Sequence, residues 1–484
     1  MTAIIFVCLF MLLMIGIGLW GMRKTSSLND FFLGGRSIGP WVSAVAYGTT
    51  YFSAVLFIGF AGKLGWGFGL SSILVAVGNA FLGSFAAWLI LGKRTRVMTQ
   101  NLDVMTMPEF LQERYGANWF KLISAAIIFI FLLPYCASIF KGLGHLFEST
   151  FSISYDTALL IMIIITAIYL ILGGYFAITV TDFIQGIIML FGCAAMVAVL
   201  TSDAGGISNV ISMISSKYAE HIPEAKRPSM LILGSLIFMT SFGTWGLPQM
   251  VQKFYAIKNE KVIMKAAVAT TVFALIISLT AYFVGSMSHI FFDTLPMNGT
   301  KPAFDRIVPD MLNAHLPQTL MALILLLVLS ASMSTLSSLI LVSSSAVAID
   351  MYKGHVNPNI TKGKSLAMMR FLCLVFMAFA FFIARYEFAF IVTLMSLSWG
   401  VVAGSFLAPY LYGLYWKRAT KAGVLAGMVT GFTLAIVLFY KMGQDYSPLA
   451  SSIAMIVPFA VVPVVSIFTK PPRKEILEKA FKGF

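Results

Sequence analysis

A dense group of hydroxyl side chains lies in one apolar stretch of the chain. Residues 330–338 read SASMSTLSS, and three further serines follow at 343–345. Helical spacing places Ala331, Ser334, Thr335 and Ser338 on one stripe, with Ser337 on an overlapping one. Several neutral oxygens on one stripe suit a small hard cation such as sodium. In the alternative, the serines pack as small residues and donate hydrogen bonds back to their own helix.

Two polar, glycine-bearing interruptions lie in the middle of apolar stretches. Residues 46–53 read AYGTTYFS and residues 239–249 read MTSFGTWGLPQ. A broken helix leaves backbone carbonyls that no longer bond to their own turn, and lipid cannot satisfy them. The interruptions are five spans apart and run in opposite directions, as expected of two inverted five-helix repeats broken at a midplane site. Together they favour transport, although either alone is also typical of a kink packed through small residues.

Ionisable residues inside the apolar stretches are few. Asp182 is the only carboxylate that we place clearly within a span, and an intramembrane acid indicates function. If Asp182 approaches Ser337 and Ser338, the three residues form a second cation site with a charged ligand. In the alternative, the Asp182 carboxylate is solvated at the inner face of the membrane. Lys63 and Lys141 lie toward the outer ends of their spans. They either snorkel to the headgroups, attract an anionic substrate, or act as charge partners that replace or gate an ion.

The composition excludes a soluble protein. Of the 484 residues, 59% are apolar and 11% charged, against about 25% charged in soluble domains, and the mean hydropathy is +0.91. The four cysteines fall in apolar runs without metal-ligand spacing. We find no phosphate loop, nucleophile elbow or paired carboxylates, so the sequence gives no case for an enzyme.

Apolar runs long enough to cross about 30 Å of hydrocarbon predict an all-α polytopic membrane protein. We count thirteen such runs: residues 3–22, 40–62, 68–92, 120–146, 156–175, 178–201, 229–251, 263–288, 317–348, 366–384, 388–414, 422–440 and 449–468. The first run has no cleavage pattern and is expected to be retained as a span.

The distribution of positive charge predicts the orientation. With the N-terminus outside and the C-terminus cytoplasmic, 24 of the 33 lysines and arginines, Lys253 among them, fall in cytoplasmic loops, in agreement with the positive-inside rule. The net charge of +14 therefore reports topology and attraction to anionic inner-leaflet lipid. It does not indicate nucleic-acid binding.

Five segments are distinctive: FLGGRSIGPW at 32–41, YCAS at 135–138, FESTF at 147–151, GGYF at 173–176 and MSTLS at 333–337. In these segments the chain resembles the sodium/solute symporter family, and within it the bacterial proline and pantothenate symporters. The resemblance implies two inverted five-helix repeats, as in the leucine-transporter fold, in a single transporter domain spanning residues 1–484. The parts would be an extra N-terminal helix at 3–22, repeats at 40–201 and 229–414, two peripheral helices at 422–468 and a cytoplasmic tail at 469–484.

The resemblance also implies cation sites. The principal sodium site would use the backbone carbonyls of Thr49, Phe52 and Ala331 and the hydroxyls of Ser334 and Thr335. An additional sodium site, known in some members including sialic acid symporters, would use Asp182, Ser334, Ser337 and Ser338. Na⁺ is therefore the expected coupling ion.

For the solute, the resemblance implies a pocket lined by Tyr51, Ser53, Tyr135, Thr244 and Trp245. Tyr51 stands where the proline symporters carry an aspartate, and residues 50–53 are more similar to the pantothenate branch. Sialic acid symporters have a lysine at the position of Lys63, yet they place an arginine at the position of Tyr135.

These observations predict a sodium-coupled secondary active symporter of the inner (plasma) membrane. It would import a small polar organic solute, an amino acid or carboxylate, by alternating access. Its partners would be the solute, sodium ions and membrane lipid, with no obligatory protein partner. The alternatives are a sialic acid or sugar symporter, and proton-coupled uptake through Asp182, Lys63 or Lys141. A membrane sensor is a remote alternative, since the tail after Thr469 is expected to be too short for a kinase.

Overall fold

The computed structural model describes residues 2–24, 33–172 and 175–484, and these residues are almost entirely helical. The motif residues Phe32, Gly173 and Gly174 lie outside this part of the chain. The α-helices, in chain order, are α1 Thr2–Lys24, α2 Pro40–Tyr51, α3 Ala61–Phe68, α4 Ile73–Gly78, α5 Ala87–Leu102, α6 Met107–Tyr115, α7 Trp119–Phe131, α8 Leu133–Phe151, α9 Tyr155–Leu172, α10 Tyr175–Asp203, α11 Ile207–His221, α12 Met230–Phe242, α13 Pro248–Ala256, α14 Val262–Ser286, α15 Ser288–Phe291, α16 Ile307–His315, α17 Gln318–Ser345, α18 Lys362–Arg385, α19 Ile391–Tyr415, α20 Lys421–Met442, α21 Ser447–Ile467 and α22 Lys474–Ala480.

Irregular helix and a short hairpin complete the described structure. Three segments are π-helical, at Val55–Phe60, Asn79–Ala86 and Ala346–Val356. Strands β1 Met297–Asn298 and β2 Lys301–Pro302 pair antiparallel, with Met297 opposite Pro302.

The number of predicted spans, thirteen, is not confirmed. By length and apolarity the described residues hold ten helical runs that could cross a membrane, or eleven if the bent pair Met230–Gly246 and Pro248–Ala256 is one span. Part of the predicted 40–62 span and all of the 68–92 span fall in a single run, Val55–Leu102, of 48 residues. At 1.5 Å per residue such a run is about 72 Å long if straight, more than twice the hydrocarbon thickness. The run contains Gly69, whose φ of +52° departs from helical geometry.

The surface of the bundle is apolar where lipid would contact it. Large side chains such as Leu12, Phe191, Phe371 and Val464 are more than half exposed. The interior, in contrast, contains most of the hydroxyl groups of α17, which are buried. A helix bundle with an apolar exterior and polar groups inside is the arrangement of a membrane protein with an internal site.

Small residues bring the helices of the site together. A Cβ atom at Gly65 of α3 would overlap the backbone of Gly285 in α14, and one at Gly285 would overlap the backbone of Ala61. In the same way Gly48 of α2 lies against the ring of Phe273 on α14. Close backbone approach at glycines is typical of helix packing in membranes.

Candidate functional site

The first predicted helix break is confirmed between α2 and the π-helical segment that follows it. Phe52 ends α2 with extended backbone, at φ −109° and ψ 127°, and its N–H donates to the Gly48 carbonyl at 3.1 Å. The chain after the break is hydrogen-bonded to α17. The Ser332 hydroxyl accepts from the Ala54 N–H at 3.0 Å and donates to the Val328 carbonyl of its own helix at 2.7 Å. The break is therefore held from across the bundle, and Phe52 lies directly in it.

The second predicted break is also confirmed. Helix α12 passes through a 3₁₀ turn, Gly243–Gly246, and Leu247 then adopts extended backbone at φ −87° and ψ 122°. Pro248 begins α13, which is inclined by 50° to the preceding helical segment. Because proline has no N–H to donate, it is suited to start a new helix at this point.

Oxygen atoms from α2 and α17 converge at the first break. The Ser334 hydroxyl lies 2.8 Å from the Thr49 carbonyl and 2.9 Å from the Ala331 carbonyl. The Thr335 hydroxyl lies 3.2 Å from the Thr49 carbonyl and 3.1 Å from the Ala331 carbonyl. All four residues are fully buried. We call this group the oxygen cage.

The cage has more acceptors than hydrogens. Ser334 Oγ also lies 3.2 Å from the Ser330 carbonyl, and Thr335 Oγ1 lies 3.1 Å from the Thr50 carbonyl. Each hydroxyl carries one hydrogen, so the two hydroxyls can donate to only two of these four carbonyl oxygens. The carbonyls of Ser330 and Ala331, inside α17, also accept from backbone N–H groups of that helix. A small cation among these oxygens would use the lone pairs that the two hydroxyl hydrogens leave unpaired.

A buried ion pair lies beside the cage, at the predicted second cation site. The Lys253 ammonium is 3.2 Å from Asp182 Oδ2 and 3.3 Å from Ser338 Oγ. The Ser338 hydroxyl is in turn 3.2 Å from the hydroxyl of Thr50. Ser337 differs from the expectation, because its hydroxyl donates back to the Ser334 carbonyl of its own helix at 2.9 Å. The structure thus brings Asp182 and Ser338 together through a lysine.

Two sequence expectations about charged residues are wrong. Lys253 was expected in a cytoplasmic loop, but it lies on α13 and is 2% exposed. The chain bends at Leu247 and runs on as a buried helix, which apolar-run counting does not detect. Asp182 is also not the only carboxylate within a candidate span, because Asp350 is buried in the run Gln318–Val356, where it accepts from the Thr106 hydroxyl at 2.9 Å.

A small cavity adjoins the first break. It is lined by Tyr51, Ser53 and Tyr135 of the predicted solute pocket, and at about 20 Å³ it has room for about one water molecule. Its other lining residues are Phe52, Val55, Leu56, Phe60, Asn79, Thr240, Tyr282 and Met395. An organic solute therefore needs these side chains to move apart.

Polar groups that the sequence analysis did not single out complete this cavity. The Tyr51 hydroxyl donates to the Thr240 carbonyl at 2.6 Å, and the Thr240 hydroxyl donates to Asn79 Oδ1 at 2.7 Å. Asn79 could have been found, since it is an amide in the middle of a predicted apolar span. Thr240 belongs to the second interruption, where the sequence does not show which hydroxyl faces the cavity.

Thr244 and Trp245 have other contacts. The Thr244 hydroxyl donates to the Ser241 carbonyl at 2.8 Å and approaches the Gly83 carbonyl at 3.3 Å. The Trp245 indole N–H donates to the Leu82 carbonyl at 3.1 Å. These side chains bind the π-helical segment and are not among the residues that line the cavity.

The two lysines near the span ends are paired with carboxylates. Lys141, 4% exposed, lies 2.8 Å from Asp305 and 3.4 Å from Glu387. Lys63 lies 3.6 Å from the exposed carboxylate of Asp445. Two cavities of about 490 and 400 Å³ are lined in part by these groups. We call the end of the bundle that contains Lys63, Lys141, Asp305, Glu387 and Asp445 the cavity face.

The chain matches a known protein family over most of its length. The model of the sodium:solute symporter family matches residues 31–431. The chain belongs to this family. It is therefore a sodium-coupled solute symporter and not an enzyme.

Relatives of this symporter are known in several bacteria. Sodium/proline symporter 2 of Staphylococcus saprophyticus is 30% identical over 485 aligned residues, which cover 97% of this chain and 93% of that protein. The sodium/proline symporter of Escherichia coli is 28% identical over 441 residues, covering 90% and 87%. The likeness thus extends over nearly the whole symporter.

Solved structures show the fold. A substrate-bound, outward-open Na⁺-coupled sialic acid symporter matches with a TM-score of 0.78 at 15% identity and covers 98% of both chains. A nucleobase-cation-symport-1 family transporter, closed around bromovinylhydantoin, matches with a TM-score of 0.57 at 14% identity and covers 94% of this chain and 99% of its own. The symporter shares the leucine-transporter-like architecture of these proteins.

Proposed function

We propose that this symporter imports a small polar amino acid or carboxylate together with sodium across the inner (plasma) membrane. The observation that carries the proposal is the oxygen cage, in which two hydroxyls can donate to only two of four buried carbonyls. An amino acid is favoured because the relatives named above are sodium/proline symporters. Sodium would be held by the carbonyls of Thr49, Phe52 and Ala331 and by the hydroxyls of Ser334 and Thr335.

The proposed topology has the N-terminus outside and the C-terminus in the cytoplasm. Thirteen spans are proposed, with an extra helix at 3–22, inverted repeats at 40–201 and 229–414, and peripheral helices at 422–468. The confirmed breaks after Tyr51 and at Leu247 support this division, since each interrupts the first helix of a proposed repeat. In this orientation the cavity face is extracellular.

Coupling between ion and solute follows from their shared segment. Thr49 and Thr50 supply cage carbonyls, while Tyr51 and Ser53, the next residues along the same break, line the cavity. A sodium ion that fixes the carbonyls also fixes where these two side chains point. By linkage, the solute must then raise sodium affinity by the same factor as sodium raises solute affinity.

Alternating access would open the end of the bundle opposite the cavity face. There the chain before α2 pairs with the chain after α13: Ile38 N–H donates to the Ala256 carbonyl at 3.3 Å, and Lys258 N–H donates to the Ile38 carbonyl at 3.0 Å. The Arg96 guanidinium adds a hydrogen bond to the Ile257 carbonyl at 2.6 Å. These contacts join the inner ends of the two broken helices and must separate for release into the cytoplasm.

The test is uptake by purified protein in liposomes with an inward sodium gradient. The panel comprises L-proline, other amino acids, monocarboxylates, pantothenate, sialic acid and glucose. We expect accumulation of one amino acid or carboxylate that stops when sodium is replaced by choline. Accumulation of that compound driven by a proton gradient without sodium would overturn the sodium assignment, and accumulation of sugar alone would overturn the solute class.

A further inference from the structure

The second cation site, which the family resemblance predicts around Asp182, already contains a positive charge. Lys253 projects from α13 to within 3.2 Å of Asp182 on α10 and 3.3 Å of Ser338 on α17. The three residues are 2%, 0% and 4% exposed. We infer that the Lys253 ammonium is the built-in cation of this site, so that the symporter binds sodium at the oxygen cage alone. The inference rests on the proposed function.

The charges at this site balance. Within the described part of the chain, Asp182 is the carboxylate at ion-pair distance from Lys253, and the lysine neutralises its single negative charge. A sodium ion placed beside both would leave a net positive charge in a site without solvent access, which is expensive to bury. One monovalent cation therefore satisfies the site, and the lysine is attached to the chain.

The lysine ammonium can take the place of a sodium ion at this site. An ammonium group and a sodium ion carry the same charge, and both are bound by carboxylate and hydroxyl oxygens. The partners of Lys253 include the carboxylate and one of the hydroxyls predicted for sodium, Asp182 and Ser338. Asp182 Oδ1 makes no hydrogen bond to the described residues, so the carboxylate has a further oxygen for an ion that replaces the lysine.

The position of the lysine gives the site a mechanical role. Lys253 lies on the helix that restarts after the second break, whereas Ser338 contacts Thr50 beside the first break at 3.2 Å. Hydrogen bonds from Lys253 to Ser338 and from Ser338 to Thr50 thus connect the two broken helices through α17, and Asp182 of α10 pairs with the same lysine. A sodium ion would leave this site during each cycle, but a tethered ammonium stays.

The experiment counts sodium ions bound per chain, using radiolabelled sodium and the purified full-length protein. The wild type should bind one ion. Lys253→Met leaves Asp182 without its cation and should bind two, while the double variant Asp182→Asn with Lys253→Met should return to one. Lys265→Met, which changes an exposed lysine at the start of α14, is the matched control and should bind one.

Each other outcome has a distinct meaning. Two ions bound by the wild type, falling to one in Asp182→Asn, would overturn the inference, as would one ion bound by a folded Lys253→Met protein. If Lys253→Met does not fold, the wild-type count decides between one and two. No sodium bound by the wild type would instead overturn the proposed cage.

Discussion

At the scale of single residues, the hydroxyls of α17 fall into two groups that share one helix. Ser334 and Thr335 reach carbonyls of α2, whereas Ser337 donates to its own helix. The helical spacing of the sequence shows the stripe, and so it predicts the cage hydroxyls correctly as neighbours. It does not separate hydroxyls that cross to another helix from those that bond back, since this depends on which face meets α2.

Removal of one cage hydroxyl should weaken sodium activation. Ser334→Ala deletes one oxygen and leaves the others in place, so we expect a loss of about 1–2 kcal/mol, or roughly 5–30-fold in the half-maximal sodium concentration for uptake. Ser337→Ala, one turn further along the helix, is the control and should change it little. An unchanged sodium dependence in Ser334→Ala protein that still transports would contradict the cage.

Glu387, between α18 and α19, carries a pH-dependent contribution to stability. Burial raises its pKa, but the hydrogen bond from His145 and the charges of His145 and Lys141 outweigh this and lower it to about 2. Because the pKa is lowered from its ordinary value of 4.5, the ionised Glu387 stabilises the fold at pH values above 4.5. This stabilisation is lost as the pH falls toward 2.

We therefore expect Glu387→Gln to lower the melting temperature at neutral pH. Because the side chain is 38% exposed, solvent screening limits the loss to about 1 kcal/mol. The difference from wild type should shrink as pH is lowered from about 5 to 3. The same exchange at Glu478, exposed on α22, is the control; a pH-independent difference at Glu387 would contradict the ion-pair explanation.

At the scale of elements, the breaks were predictable and their consequences were not. Glycine, proline and hydroxyl residues in apolar runs indicated both interruptions. The 3₁₀ turn Gly243–Gly246 advances side chains by about 120° per residue instead of 100°, which rotates the residues after it. Thr240 lies before this turn, in regular helix, and faces the cavity, whereas Thr244 and Trp245 lie within the turn and contact the π-helical segment. The bend at Leu247 moves Lys253 from an expected loop into the core.

The crossing of α3 and α14 depends on glycine. Gly285→Ala places a methyl group against the backbone of Ala61, and overpacking of this kind costs about 1–3 kcal/mol. We expect a lower melting temperature in detergent and reduced uptake. Gly234→Ala on α12 is the control, since nothing lies within 4 Å of the added atom, and it should be neutral or stabilising. Equal effects at both positions would contradict the crossing.

At the scale of the whole molecule, composition predicted the class and charge counting predicted an orientation. The apolar exterior and the long helices agree with a multi-pass membrane protein. The count of spans was less predictable, because a helical run such as Val55–Leu102 continues through a turn that divides two apolar stretches. Hydropathy measures apolar length, and it does not record where a helical run departs from regular geometry, as at Gly69.

The orientation is testable by thiol labelling in intact cells. In a background with the exposed Cys8 replaced, Lys301→Cys on β2 should react with a membrane-impermeant maleimide from outside. Lys479→Cys on α22 should react after permeabilisation alone. The reverse pattern would place the cavity face in the cytoplasm, and the unreplaced buried cysteines Cys136, Cys193 and Cys373 provide the background signal.

The pairing of Ile38 with the chain around Ile257 has an energetic consequence. Its main-chain part consists of two hydrogen bonds, each worth about 0.5–1.5 kcal/mol net. One elementary charge that crosses a potential of 100 mV releases about 2.3 kcal/mol, which is the same size. The Arg96 guanidinium adds hydrogen bonds to the same segment, so the membrane potential supplies part of the work of opening. We therefore expect turnover to slow when the cell depolarises even at constant sodium.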